Sequence, residues 1–307
     1  MLFLTLAVLA IAPGFFILWY IDHKDSYEKE PKSLIFKTFL LGALFVIPAG
    51  GIEYLLLNGM GISLDGNIIG AFIGSFFIIA PIEEVAKYFA VRLKAYRAPD
   101  FNSVMDGIVY GVSAAIGFAT LENIFYVLEG GFGVALLRAF LSVPGHALEG
   151  AIIGYYMGMR KMTPESPRKF ILTGLIIAIL FHGAYDFVLF TETPLGLFII
   201  PIIIILYKIF KKNMYEALKS SPFRQGRDEE LFSRLQHKMT FPGLLLVSGG
   251  ILLVSFACVM IAGSAVNISE GVAWGPSDWG YLTFFTVVPI SLGIYFIYLS
   301  RKKRIAQ

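Results

Sequence analysis

The sequence predicts an all-α protein, a polytopic bundle of transmembrane helices with about nine spans, its N-terminus outside and its C-terminus in the cytoplasm. Three observations predict this. The 307 residues are 57% hydrophobic and 15% charged, with a mean hydropathy of +0.73, where a soluble domain carries roughly 25% charge. Nine apolar runs approach or exceed the length needed to cross a hydrocarbon core, at 2–21, 34–57, 68–91, 104–128, 134–158, 170–190, 195–210, 242–263 and 279–299. The basic residues follow every second run.

The first run opens without a basic n-region and meets Tyr20-Ile21-Asp22-His23-Lys24 with no small-residue cleavage site before it, so it is expected to remain as an anchor. Lys24, Lys29 and Lys32 follow it. Arg92, Lys94 and Arg97 follow the third run, and Arg160, Lys161, Arg168 and Lys169 the fifth. A longer set from Lys208 to Lys238 follows the seventh, and Arg301 to Arg304 the ninth. Of the 25 basic residues, only Lys37, Lys87 and Arg138 break the pattern, and the loops 58–67, 129–133, 191–194 and 264–278 hold none. The positive-inside rule then fixes the orientation. Lys37 and Arg138, at the starts of the second and fifth runs, are expected to snorkel to opposite faces. Trp19, Tyr20, Trp274, Trp279 and Tyr281 fall near run ends, where aromatic belts form. Cys258 is the single cysteine, which excludes a disulfide framework and a cysteine metal site. A net charge of +3 is small, and no nucleic-acid partner is expected.

The third run is unusual in its chemistry. Pro81-Ile82-Glu83-Glu84-Val85-Ala86-Lys87 puts three charges into an otherwise apolar span, and each costs roughly 2.5–3.5 kcal/mol near a helix centre. Lys87 stands four residues from Glu83 and three from Glu84, on the same helix face. The fourth run adds Glu122, the fifth His146 and the sixth His182 and Asp186. Counted at about 1.5 Å per residue, all can share one depth. His182 and Asp186 are one helical turn apart, so the carboxylate can hold and orient the imidazole. Pro81 and Pro144 each precede a polar residue by two positions and free backbone groups, which at membrane depth requires an enclosed, wet cavity.

Glu83, Glu84, Glu122 and Asp186 face one ammonium, and four carboxylates cannot all ionise in low dielectric beside a single cation. Protonated acids, cationic histidines or a bound divalent metal would each resolve this, and each belongs to an active site. Helix-gluing polar clusters use Ser, Thr and Asn instead. Glu149, three residues from His146, is expected to stand outside the site, Glu53 and Glu129 at the outer edge, and Asp106 at the cytoplasmic edge beside a helix N-terminus. A proton- or ion-coupled transporter would also bury acids and histidines beside broken helices, yet these groups are confined to four consecutive runs rather than two corresponding halves. A non-catalytic membrane scaffold is the third alternative.

Taken together, the chain resembles the PrsW family of bacterial intramembrane proteases, related more widely to the type II CAAX prenyl endopeptidases. Its Glu-Glu-x-x-Lys pattern is met by Glu83, Glu84 and Lys87, Phe-x-x-x-Glu by Phe118 and Glu122, and His-x-x-x-Asp by His182 and Asp186. The strings Asp106-Gly107-Ile108-Val109-Tyr110-Gly111 and His146-Ala147-Leu148 are similar too. The resemblance covers 1–212, a protease core of seven spans. A cytoplasmic linker, 213–241, and two additional spans with a basic tail, 242–307, go beyond it.

The resemblance implies hydrolysis of a peptide bond in a single-span membrane protein, such as an anti-sigma factor, within the bacterial cytoplasmic membrane; the lipid bilayer is the other partner, and oligomeric state is not indicated. Glu83 is the expected general base with Glu84 tuning its proton, His182 the oxyanion or metal group, and Glu122 and His146 the cavity wall; Lys87 and Asp186 support them. A zinc ion held by Glu122, His146 and His182 would leave a position open for water. A metal-free course, in which Glu83 and Glu84 share a proton and His182 stabilises the oxyanion, is preferred because the prenyl endopeptidases use a glutamate and histidines in this way.

Overall fold

The computed structural model describes residues 2–163 and 169–224. The chain divides into two units, Ala10–Arg227 and a second made of Met1–Leu9 with Asp228–Gln307. The first unit holds the candidate site. The expected runs at 242–263 and 279–299, and most of the expected linker, lie outside the described residues.

Every regular element among the described residues is helical: α1 (Leu2–Lys24), α2 (Lys32–Gly59), α3 (Ile68–Ile73), α4 (Ala80–Lys94), α5 (Val104–Leu137), α6 (Val143–Met162), α7 (Lys169–Phe190) and α8 (Ile199–Lys219). A π-helical turn, Gly74–Ile79, joins α3 to α4; another, Arg138–Ser142, joins α5 to α6; and a 3-10 turn, Pro194–Phe198, leads into α8. Six of the continuous stretches are long and apolar enough to cross a membrane. One of them, Val104–Met162, has 59 residues, about 88 Å if straight and far more than a bilayer needs. It folds back at Gly131, whose φ of 67° a side-chain-bearing residue rarely adopts. The fourth and fifth runs therefore form a helical hairpin, and the described helices coincide with the first seven runs. α8 continues beyond its run to Lys219, with Asn213, Met214, Ala217 and Leu218 buried.

Helix α5 is the centre of the bundle, buried almost continuously from Val104 to Thr120. Glycine makes this possible. A Cβ on Gly107 would strike the carbonyl of Gly154, and one on Gly111 the carbonyl of Gly150, so α5 and α6 touch backbone to backbone. On its other side, Gly117 meets the Phe39 carbonyl of α2, and Gly42 of α2 meets that of Ala114. Between helices in lipid, where apolar burial gives little net drive, such close approach supplies the packing energy. Outward-facing Ile47, Leu55, Phe77 and Leu93 are exposed, as lipid-facing side chains are.

The two π turns explain what the prolines do. Pro81 and Pro144 sit in the first turns of α4 and α6. A proline cannot donate to the carbonyl four residues back, and the backbone widens upstream of each one. Helical alternation gathers Lys24, Lys94, Arg160, Lys161 and Lys169 at one end of the bundle, the basic end. Lys161 confirms this by donating to the Ala98 carbonyl at 3.1 Å and lying over the Phe101 ring at 4.6 Å. At that end Ser103 caps α5 through a reciprocal box with Asp106. Burial and the neighbouring Asp106 push Asp25, in the loop after α1, up to about 7. Burial, working against a hydrogen bond from Tyr110, lifts Glu30 to about 8.

Candidate active site

Helix α4 supplies the glutamate pair just after its proline. Both side chains are buried, but they face different ways, as neighbours about 100° apart on a helix must. Glu83 lines a cavity of about 480 Å³. Glu84, with 0% exposure, lies behind that wall. Its Oε1 accepts from Lys87 Nζ at 2.5 Å and from His182 Nδ1 at 2.6 Å. Glu83 Oε2 is 3.3 Å from Lys87 Nζ and 3.7 Å from His182 Nε2, with no hydrogen bond to either. One carboxylate is thus fixed and the other is available.

Lys87 is 1% exposed. Its ammonium reaches Glu84 and, at 2.8 Å, His146 Nδ1, and it lies 5.0 Å from the ring centre of Phe118, a favourable cation–π placement. Phe118 is therefore the floor under the lysine. An ammonium has only protons to give, so His146 Nδ1 accepts and its Nε2 carries the hydrogen. That Nε2 is 3.0 Å from Glu122 Oε2. The expected turn-apart contact on α7 also forms: His182 Nε2 is 3.2 Å from Asp186 Oδ2. A ring with a proton on each nitrogen would satisfy both carboxylates. The two imidazoles pack edge to face with centroids 5.3 Å apart.

The structure brings all seven expected residues, Glu83, Glu84, Lys87, Glu122, His146, His182 and Asp186, into one polar chain across α4, α5, α6 and α7. It also adds three. Arg138 does not snorkel to the outer face. Its Nη2 is 2.8 Å from Glu122 Oε2, and its Nε donates to Asn123 at 2.6 Å. The Gly131 reversal and the π turn that begins at Arg138 aim it inward. Glu149 is 3% exposed and lines the cavity, with Oε2 3.6 Å from His182 Nδ1 and 3.8 Å from His146 Nδ1. Its place three residues after His146, on one helical face, was the available signal. Glu53 lines the same cavity from α2. Apolar side chains, among them Val46, Ile79 and Leu189, complete the wall.

Four residues each offer one ligand atom, with all four atoms within 4.8 Å of one another: Glu83, Glu84, His146 and His182. Glu122 is outside that set, held by Arg138. Buried carboxylates, two imidazoles, a cavity with room for several waters and an available base are the ingredients of a hydrolytic site.

The family described as "PrsW family intramembrane metalloprotease" matches residues 30–210. Among curated proteins, one named Protease PrsW from Bacillus subtilis is 36% identical over 198 residues, which are 64% of this chain and 88% of that protein. A namesake from Oceanobacillus iheyensis is 37% identical over 206 residues, 67% of this chain and 93% of its own length. Another from Clostridioides difficile is 31% identical, covering 67% of this chain and 88% of its own. No solved structure matches significantly.

Proposed function

Since the chain belongs to the PrsW family and is by that membership a multi-pass intramembrane protease, we propose that Glu83 is its general base and that it cleaves single-span membrane proteins such as an anti-sigma factor. The observation that carries the assignment is the division of labour in the pair: Glu83 lines the cavity, whereas Glu84 does not reach it and is locked by Lys87 and His182.

A substrate strand entering the cavity would meet apolar side chains along the wall and polar groups only where Glu83, His146, His182 and Glu122 converge. Glu83 takes a proton from water as the oxygen attacks the peptide carbonyl, and returns it to the leaving amine. His182, held at Nδ1 by Glu84, turns its Nε2 hydrogen from Asp186, 3.2 Å away at rest, to the developing oxyanion. Glu84 holds that imidazole in place and stays out of the reaction. Glu122, anchored by Arg138, and Lys87 together fix the tautomer and tilt of His146.

The family's description names a metalloprotease, and the donors here fit an ion. Glu83, Glu84, His146 and His182 would hold it, and Glu83 and Glu84 each keep a buried oxygen without a hydrogen-bond partner. When bound, such an ion would supply Lewis-acid polarisation and an acidified water. In the arrangement described, the Lys87 ammonium already supplies positive charge to this place, which favours the metal-free course.

The test is cleavage of a single-span reporter by purified protein in detergent. Wild type should release two fragments, and Glu83→Gln should slow cleavage about a hundredfold or more. A reporter cut by Glu83→Gln at the wild-type rate would remove Glu83 from the base role.

A further inference from the structure

A second group of acids lies at the basic end of the bundle, well removed from the first: Asp106 is sixteen residues before Glu122 on the same helix, about 24 Å along its axis. Asp25 and Glu30, from the loop between α1 and α2, meet Asp106 in the first turn of α5. Their exposures are 3%, 3% and 1%. Each offers a carboxylate oxygen, and these oxygens lie within 4.8 Å of one another.

Three buried acids at this separation cannot all ionise without compensation. Asp106 has its share, accepting from the backbone N–H groups of Asn102 and Ser103, each at 2.6 Å, and from the Ser103 hydroxyl. Glu30 accepts from the Tyr110 hydroxyl. Asp25 is different: its Oδ2 is buried with no hydrogen-bond partner. Two more buried oxygens in this region, Glu28 Oε2 and Asn102 Oδ1, are also without partners, although Asn102 Nδ2 donates to the other Glu28 oxygen at 3.4 Å. Two of the nearby lysines make their direct contacts elsewhere. Lys32 pairs with Asp22, and Lys29 donates to the backbone carbonyls of Asp22 and Asp25 rather than to a carboxylate.

We propose that Asp25, Glu30 and Asp106 bind a hard divalent cation, Mg²⁺ or Ca²⁺, that ties the α1–α2 loop to the start of α5. The donors are all oxygens, the ligand set of those ions, with none of the nitrogen or sulfur that selects zinc. The spacing agrees with Ca²⁺, whose oxygens at about 2.3–2.6 Å are no more than about 5 Å apart, while Mg²⁺, at about 2.0–2.1 Å, requires them within about 4.2 Å. The unpartnered Asp25 oxygen then becomes a ligand, and the three acids ionise around a common counter-ion. Because α5 also carries Glu122, the cation would hold the loop against the helix that presents one wall of the active site.

Terbium luminescence in the full-length detergent-solubilised protein tests this, since Tb³⁺ takes oxygen sites and Tyr110, whose hydroxyl touches Glu30, is placed to sensitise it. We expect a saturable signal that Ca²⁺ or Mg²⁺ displaces, the more effective competitor identifying the preferred ion. Asp25→Asn and Glu30→Gln should each weaken Tb³⁺ binding about tenfold or more, whereas Glu83→Gln and His182→Ala should titrate like wild type. Asn and Gln preserve shape and an acceptor oxygen, and in chelator both variants should unfold at or above the wild-type temperature because a buried ionisable group has been removed. Added Ca²⁺ or Mg²⁺ should raise the wild-type unfolding temperature and leave theirs unchanged. Absence of a saturable signal, or equal titrations of wild type, Asp25→Asn and Glu30→Gln, would overturn the proposal.

Discussion

Lys87 joins Glu84 to His146, so its removal leaves a carboxylate of zero exposure with only an imidazole for company. Stranding a buried charge in this way costs about 3–5 kcal/mol. Lys87→Met should therefore lower the unfolding temperature, and adding Glu84→Gln should recover much of the loss, because both ends of the ion pair are then neutral. The same substitution tests the metal question. If the ammonium and an ion compete for Glu84 and His146, purified Lys87→Met should carry more zinc per chain than wild type. Equal zinc in the two proteins would show that they do not compete. Local spacing made the pairs Glu83/Lys87, Glu84/Lys87 and His182/Asp186 legible in the sequence, since i,i+3 and i,i+4 neighbours share a helix face. Arg138 was not legible. Its position at the start of an apolar run is equally consistent with snorkelling, and what turns it to Glu122 is the chain reversal at Gly131, about two helical turns before it. The excess of carboxylates over cations in the buried set left protonated acids, cationic histidines or a metal as ways to balance it, and Arg138 is a fourth that the sequence did not suggest.

At the scale of helices, the runs were readable because a membrane imposes length and apolarity on each one, and the described helices match them to within a few residues except at α8. The helical hairpin at Gly131 and the two π turns were not readable as such, although Pro81 and Pro144 marked where regular hydrogen bonding had to fail. The glycines on α5 and α6 show what the sequence pattern leaves unsaid: spacing allows a small-residue seam, but only the fold says which helices share it. That seam sets the separation of Glu122 on α5 from His146 on α6. Gly111→Leu would force a side chain into the Gly150 carbonyl, and overpacking of this kind costs about 1–3 kcal/mol. We expect a folded, less stable protein whose cleavage rate falls more than its stability does, because the helices must part to make room. A variant with lowered unfolding temperature and undiminished cleavage would mean that the seam does not position the site.

For the whole molecule, the distribution of basic residues decides which end of the bundle faces which compartment. The helices deliver Lys24, Lys94, Arg160, Lys161 and Lys169 to one end, while the loop between α2 and α3 and the turn between α7 and α8, at the other, contain no lysine or arginine. Retention of basic segments on the cytoplasmic side is the strongest determinant of orientation for short loops, so the basic end should lie in the cytoplasm and the N-terminus outside. The active-site cavity extends to Leu64 and Asp65 in the α2–α3 loop, so this orientation would open it toward the outer face, while the proposed cation site would sample cytoplasmic ions. Single cysteines decide the matter once Cys258, the only native one, is replaced by alanine. Ser63, exposed in the α2–α3 loop, and Ser220, exposed just after α8, mark opposite ends. In sealed cells an impermeant thiol reagent should label Ser63→Cys and spare Ser220→Cys until the membrane is permeabilised. Labelling of Ser220→Cys in sealed cells, with Ser63→Cys protected, would invert the protein and put the cavity mouth on the cytoplasmic side.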